Sequence, residues 1–178
     1  MYYSEQNINF VKKNKNRVMG QVSINSIEKA IGHVDNLEDD ALESLSERYA
    51  LAQPELLDYV MSAASEYENE ELEGLLIYYF CLIMSSFEME SLNVRPITET
   101  DIDEMQDPYF EMLDSYFETE DEEELESFCD QPDLAQFMAM EVSTDDEDGS
   151  SLSEETSSQL FIVTIGMISL LNRAQLNA

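Results

Sequence analysis

The feature that most restricts how this chain can fold is its charge, which is large, negative and unevenly distributed. Forty Asp and Glu residues stand against eight Lys and Arg in 178 residues, a net charge of −32 at neutral pH. Four of the eight basic residues lie within residues 1–17, and no Lys, Arg or His lies between Arg95 and Arg173. Such a field repels nucleic acid and anionic lipid but attracts cations and basic protein surfaces. We therefore expect no direct nucleic-acid binding and no membrane association.

Few turn-forming residues and the helical spacing of apolar residues predict an all-α fold. The chain has 5 Gly and 4 Pro, too few for the many tight turns of a β-sandwich or barrel. The longest apolar runs, 75–84 and 160–171, fall short of the ~20 residues that a membrane span needs, so we expect both to form long, buried helices. The LFIVTI segment of the second run has a β-rich composition but no partner strand, and is expected to be helical.

Helix boundaries follow from prolines and capping residues. Pro54 and Pro132 suit the first turn of a helix, where a missing N–H is tolerated. The Asp-Pro pair at 107–108 predicts another helix start, leading into the apolar residues Phe110 and Phe117. The remaining predicted starts are Asn25 with Glu28, Glu38, Asn69, Thr98 or Thr100, and Ser153 or Thr156.

Two stretches of the chain resemble each other. AQPELLDYV at 52–60 aligns with DQPDLAQFM at 130–138, and the apolar run 75–84 aligns with 162–171. Chance recurrence of Gln-Pro before an amphipathic helix is the alternative. We predict a polar basic tail at 1–22 and two related helical units at 23–95 and 96–178, the second with an acidic loop at 143–152. Because neither unit can bury its apolar face alone, they are expected to share a core.

Residues for catalysis are scarce. His33 is the single histidine, and neither Cys81 nor Cys129 has a base nearby in sequence. No glycine-rich phosphate-binding motif occurs. We therefore expect no enzyme activity and no cofactor. Two isolated cysteines form neither a disulfide framework nor a zinc site, and the N-terminal stretch has no apolar segment of signal-peptide type, so the expected location is the cytoplasm.

The segment 144–155 partly matches a twelve-residue calcium-binding loop. Asp146, Asp148 and Glu155 fall on positions three, five and twelve of that loop. Thr144 occupies the first position, where Asp is needed, and Ser151 occupies the central hydrophobic one. Because of these departures we expect an acidic, solvated loop without bound metal, in which those three carboxylates are only weak candidates for ligands.

The acidic surface itself has three interpretations: a solvated face that keeps the chain soluble or suits a high-salt cytoplasm, a docking surface for a basic protein, and mimicry of nucleic acid. We predict a non-catalytic protein-interaction or regulatory module. The alternative is a nucleic-acid-mimicking inhibitor of a DNA-binding protein, and the third reading is an enzyme or metal-binding protein. The predicted partner-binding residues are Glu118, Glu120, Asp121, Glu122, Glu123, Glu124, Asp145, Asp146, Glu147 and Asp148.

Overall fold

The chain folds into α-helices, as its sequence predicts. A computed structural model describes residues 19–146 and 148–176, and within these it contains eight helices and no strand. The helices are α1 (Ile24–Asp35), α2 (Asp39–Ala52), α3 (Pro54–Glu66), α4 (Glu70–Met89), α5 (Glu99–Thr119), α6 (Glu122–Cys129), α7 (Pro132–Ser143) and α8 (Glu154–Arg173). An isolated bridge between Val94 and Gln175 is the single β-type pairing in the described part of the chain. Most of the predicted basic tail, residues 1–18, lies outside the described residues.

Two predicted helix starts are wrong. The first helix is capped by Ser23, whose hydroxyl accepts from the Ser26 N–H, and not by Asn25. No helix begins at the Asp-Pro pair: α5 begins at Glu99, directly after the predicted cap Thr98, and continues through Pro108. Thr98 and Asp101 form a reciprocal capping box that initiates it. Pro108 forfeits one internal hydrogen bond, and burial of flanking residues on the inner face of α5 offsets that loss.

One hydrophobic core draws on all eight helices, and within it α4 and α8 pack against each other. In α8 nearly every residue from Leu160 to Asn172 is buried. On length and composition alone, α4 is apolar enough to cross a bilayer, which a count of consecutive apolar residues does not reveal. In this fold 56% of that stretch is buried, and the core helix of a globular domain meets the same criterion.

The side chains of two buried glutamines hydrogen-bond to the backbone segments that lead into α1 and α5. Gln53 precedes α3; its Oε1 accepts from the Ile97 N–H at 2.8 Å and its Nε2 donates to the Arg95 carbonyl at 2.9 Å. Gln131 precedes α7; its Oε1 accepts from the Val22 N–H at 2.7 Å and its Nε2 donates to the Gly20 carbonyl at 2.8 Å. Both have φ −137°, with ψ 62° and 71°. Each Gln-Pro turn therefore holds the segment that leads into the other half of the chain.

Gly166 allows α3 and α5 to approach the backbone of α8. A Cβ at this position would lie 2.5 Å from the Tyr59 hydroxyl and 3.2 Å from the Tyr109 ring. We expect Gly166→Ala to lower the free energy of unfolding by about 1–3 kcal/mol through overpacking, although alanine has the higher helix propensity. Urea denaturation measures this. In a Tyr59→Phe background, which lacks the nearest atom, the same substitution should cost less; an equal cost would show that the hydroxyl is not the obstacle.

The carboxylate of Asp101 makes the stability of the fold depend on pH in the acidic range. Arg95 holds this carboxylate with two bonds of 2.6 and 2.8 Å, and the Thr98 N–H donates to it at 2.8 Å. These partners hold the pKa of Asp101 well below its usual range. The unfolded chain, with an Asp pKa of about 3.9, then takes up the proton first, so this contribution to stability is lost as pH falls below about 4. We expect Asp101→Asn to flatten the dependence of unfolding free energy on pH below about 4, whereas Asp103→Asn, an exposed neighbour, should not.

Candidate functional site

The two cysteines and the histidine are poorly placed for nucleophilic catalysis or metal binding. Cys81 and Cys129 are both free and buried. Burial raises the pKa of the Cys81 thiol, and burial raises the pKa of Cys129 to about 11, so both stay protonated and weakly nucleophilic at neutral pH. His33 lies exposed on α1. No group of three or more His, Cys, Asp or Glu residues is arranged to hold a metal ion within residues 19–146 and 148–176.

The first predicted acidic cluster lies at the turn between α5 and α6. Glu118, Glu120, Asp121, Glu122 and Glu123 are exposed there. Glu120 adopts a left-handed conformation at φ 55°, which ends α5, and Asp121 caps α6 by accepting from the Glu123 N–H at 3.0 Å. The last member of the cluster differs. Glu124 is half-buried and accepts from the Ser115 hydroxyl at 2.7 Å, so it ties α6 to α5.

The second predicted cluster lies in the loop between α7 and α8. Asp145, Asp146 and Asp148 are exposed, and Glu147 lies outside the described residues. The Ser150 hydroxyl donates to Asp148 at 2.6 Å and lies 3.2 Å from a carboxylate oxygen of Asp146. Hydrogen bonds from the Ser150 hydroxyl and N–H hold the pKa of Asp148 below its usual range. The two carboxylates thus hold a serine of their own loop.

The third weak metal candidate, Glu155, lies apart from that pair on the first turn of α8. Its carboxylate accepts from Gln159 Nε2 at 3.2 Å, a contact between successive turns of one helix. The part of the calcium-like loop that the structure describes therefore does not gather its three candidate ligands into one cluster.

An apolar channel lies among α5, α6, α7 and α8. It consists of two adjoining cavities of about 200 and 250 Å³, which share Tyr116 of α5 with Ala139 and Ser143 of α7. The first cavity extends to Leu125 on α6, and the second extends to Phe161 on α8. We call the combined space the α7 channel. It is a place where four helices meet without filling the space between them.

Aromatic packing shapes the floor of the α7 channel. The Tyr116 ring stacks on Phe161 at 5.7 Å between centroids, with an interplanar angle of 25°. Phe117 contacts Tyr116 edge-on at 5.5 Å and is 51% exposed. Met140, on the facing helix, is 61% exposed. Two large apolar side chains therefore lie in water beside a concave apolar surface, which is typical of a binding surface.

Carboxylates line the edges of the α7 channel. Glu122 and Glu126 of α6 border the first cavity, and Glu154 of α8 borders the second. The two arginines that bound the acidic half are both engaged elsewhere: Arg95 pairs with Asp101, and the Arg173 guanidinium lies 5.0 Å from the Phe128 ring centroid. The described walls of the channel contain no basic side chain.

Of the predicted partner-binding residues, Glu122 lines the channel directly. The other exposed members lie in the α5–α6 turn and the α7–α8 loop and are not among the residues that line the channel. Sequence reasoning missed Glu126, Glu154 and the apolar residues of the channel. The sequence did contain a signal for an exposed aromatic at this place. Adjacent residues of a helix point in different directions, so Tyr116 and Phe117 cannot both face the protein core.

No protein-family model matches the chain, and no curated protein or solved structure is detectably similar to it. Its function therefore has to be inferred from the geometry of the chain itself.

Proposed function

We propose that the protein is a non-catalytic docking module that binds a basic surface of a partner protein through its acidic second half. One observation carries this proposal: exposed carboxylates flank an apolar channel that leaves Phe117 and Met140 in water. Protein interfaces combine an apolar centre with a polar rim in this way. Charge on the rim steers a basic partner, and apolar contact at the centre holds it.

The same observation favours protein docking over mimicry of nucleic acid. A surface that reads nucleic acid is polar and positively charged, and makes most of its contacts to phosphate and sugar. A mimic of that ligand needs spaced carboxylates and has no use for an exposed phenylalanine and methionine beside the carboxylates of the channel. The exposure of both side chains is explained if the partner contributes apolar residues to the interface.

We also propose that the halves 23–95 and 96–178 are related units. Leu56 and Leu134 are fully buried after the two Gln-Pro turns, and so are Val60 and Met138. The two glutamines share a backbone conformation and a pair of backbone contacts. In this interpretation the acidic loop and the α7 channel are specialisations of the second unit.

Binding to a flexible basic peptide tests the docking proposal. The probe is a labelled peptide of about 18 residues built from Lys, Gly and Ser, which carries charge without an apolar face. Fluorescence anisotropy should show binding at about 30 mM salt that weakens steeply by about 300 mM, because screening shortens the range of the field. A variant with Glu118, Glu120, Asp121, Glu122 and Glu123 changed to their amides should bind at least tenfold more weakly.

A matched variant separates a local surface from bulk charge. Changing Glu38, Asp39, Asp40, Glu43 and Glu47 to amides removes the same five charges from exposed positions on and beside α2. This control should alter the affinity by less than about threefold, since distant exposed charges are screened. Equal losses in the two variants would mean that the peptide responds to net charge alone, and the docking proposal would fail.

A further inference from the structure

We infer that the α7 channel accepts a cationic amphipathic helix of a partner protein, with its apolar face in the channel and its Lys and Arg residues against the rim. This inference rests on the proposed docking function and specifies the occupant. It assigns the exposed apolar residues and the flanking carboxylates to one ligand.

The dimensions of the channel match the face of a helix. The α7 residues from Ala135 to Ser143 line it, a rise of about 12 Å at 1.5 Å per residue. Apolar anchors at positions i, i+3 or i+4, and i+7 of a bound helix span about 10.5 Å. The two cavities share Tyr116, Ala139 and Ser143 and provide separate recesses for apolar anchors. Met140, with a flexible and polarisable side chain, can adapt to different anchors.

The chemistry of the walls favours a helix over an extended peptide. Helices whose backbone groups bond internally form the walls, and residues 19–146 and 148–176 contain no strand to offer a sheet edge. An extended segment in an apolar channel would leave its own N–H and C=O groups without partners. A helix satisfies those groups internally and presents only side chains.

Charge determines which kind of helix fits. Glu122 and Glu126 lie on one side of the channel and Glu154 lies on the other. An occupant therefore meets negative charge along both edges of its apolar face, which favours Lys and Arg on both flanks. A second copy of this chain, with a net charge of −32, would be repelled. Anionic lipid would be repelled for the same reason.

Two peptides of identical composition test the inference on the full chain. One is a labelled peptide of about 18 residues of Leu and Lys, with Leu at helical i, i+3, i+4 and i+7 spacing. The other is a scramble of it without an apolar face. Fluorescence anisotropy should show at least tenfold tighter binding of the first, with a gain of helical circular dichroism. Equal affinities would overturn the helix inference while leaving charge-based docking intact, since the Lys, Gly and Ser peptide tests that separately.

Paired substitutions locate the contact. Phe117→Ser with Met140→Ser should weaken binding of the amphipathic peptide at least tenfold. The control pair, Phe110→Ser with Leu51→Ser, changes side chains that are 49% and 85% exposed outside the channel, and should change the affinity less than twofold. Equal effects of the two pairs would overturn the assignment to the channel.

Other occupants of the α7 channel would give different results in the binding and sedimentation measurements. If Lys12, Lys13, Lys15 and Arg17 of the chain itself held the channel, changing all four to Gln would tighten peptide binding at least tenfold and overturn the assignment to a partner. Sedimentation of the protein as a dimer that the Phe117→Ser, Met140→Ser pair dissociates would assign the channel to a second copy and overturn it as well. A monomer whose affinity for the amphipathic peptide is unchanged by the four Gln substitutions supports the inference.

Discussion

Replacing Ile83 with Ala should lower the free energy of unfolding by about 2–5 kcal/mol. Ile83 is fully buried in α4, within the core to which all eight helices contribute. Truncation removes buried apolar surface and leaves a cavity that the surrounding helices can only partly fill. Urea denaturation followed by far-ultraviolet circular dichroism measures the change from the shift in midpoint at constant slope.

Ile77→Ala is the matched control for that measurement. It removes the same atoms from the same helix, but Ile77 is 36% exposed, so less apolar surface leaves water on folding. We expect it to cost less than half as much as Ile83→Ala. A loss below about 1 kcal/mol at Ile83, or equal losses at the two positions, would contradict the burial of Ile83 in the core.

Several helix starts are marked by a single local residue and are predicted correctly from the sequence. Pro54, Pro132 and Ser153 mark helix starts where the structure has them. Pro108 carries the same local signal, yet it lies inside α5, because the capping box at Thr98 and the buried face of the helix outweigh one lost hydrogen bond. A proline does not reveal which of those two situations applies until the packing of its helix is known.

The candidate site could be predicted in part. A run of carboxylates without basic residues is visible in the sequence, and the α5–α6 turn presents five of them to water. The α7 channel could not be predicted, because it is formed by four helices that are brought together only in the folded chain. Glu154 illustrates the difficulty: in sequence it is one acidic residue at a helix start, and its place beside Phe161 depends on how α8 lies against α5 and α7.

The sequence shows Gln53 and Gln131 as matching positions in two similar stretches, but it does not show that their side-chain amides bind distant backbone. Their sequence neighbours predict the first turn of a helix and say nothing about the side-chain amide. The amides instead bond to backbone far away in the chain, 44 residues on for Gln53 to Ile97 and 109 residues back for Gln131 to Val22. Long-range contacts of this kind depend on the whole fold, so they give rise to the second prediction with a large expected effect.

Gln131→Glu should destabilise the fold by at least about 3 kcal/mol at pH 7, since it places an uncompensated charge in a buried site. The Gln131 side chain is fully buried, and its Nε2 donates to the Gly20 carbonyl and to Asn172 Oδ1, both at 2.8 Å. A carboxylate can still accept from the Val22 N–H, but its other oxygen would face those two acceptors without a proton. Unfolding by urea measures the loss, and Gln136→Glu, which adds the same charge at an exposed position of α7, is the control.

The pH dependence of the Gln131→Glu variant separates charge from shape. Burial and the two facing acceptors should raise the pKa of the introduced carboxyl group in the folded state above its value of about 4.3 in the unfolded chain. The folded state then binds more protons, so the variant should recover stability relative to the original chain as pH falls from 7 toward about 4.5. Gln53→Glu should behave in the same way, because the Gln53 Nε2 donates to the Arg95 carbonyl from a similarly buried position. A loss independent of pH at both sites would mean that steric misfit, and not charge, opposes the substitution.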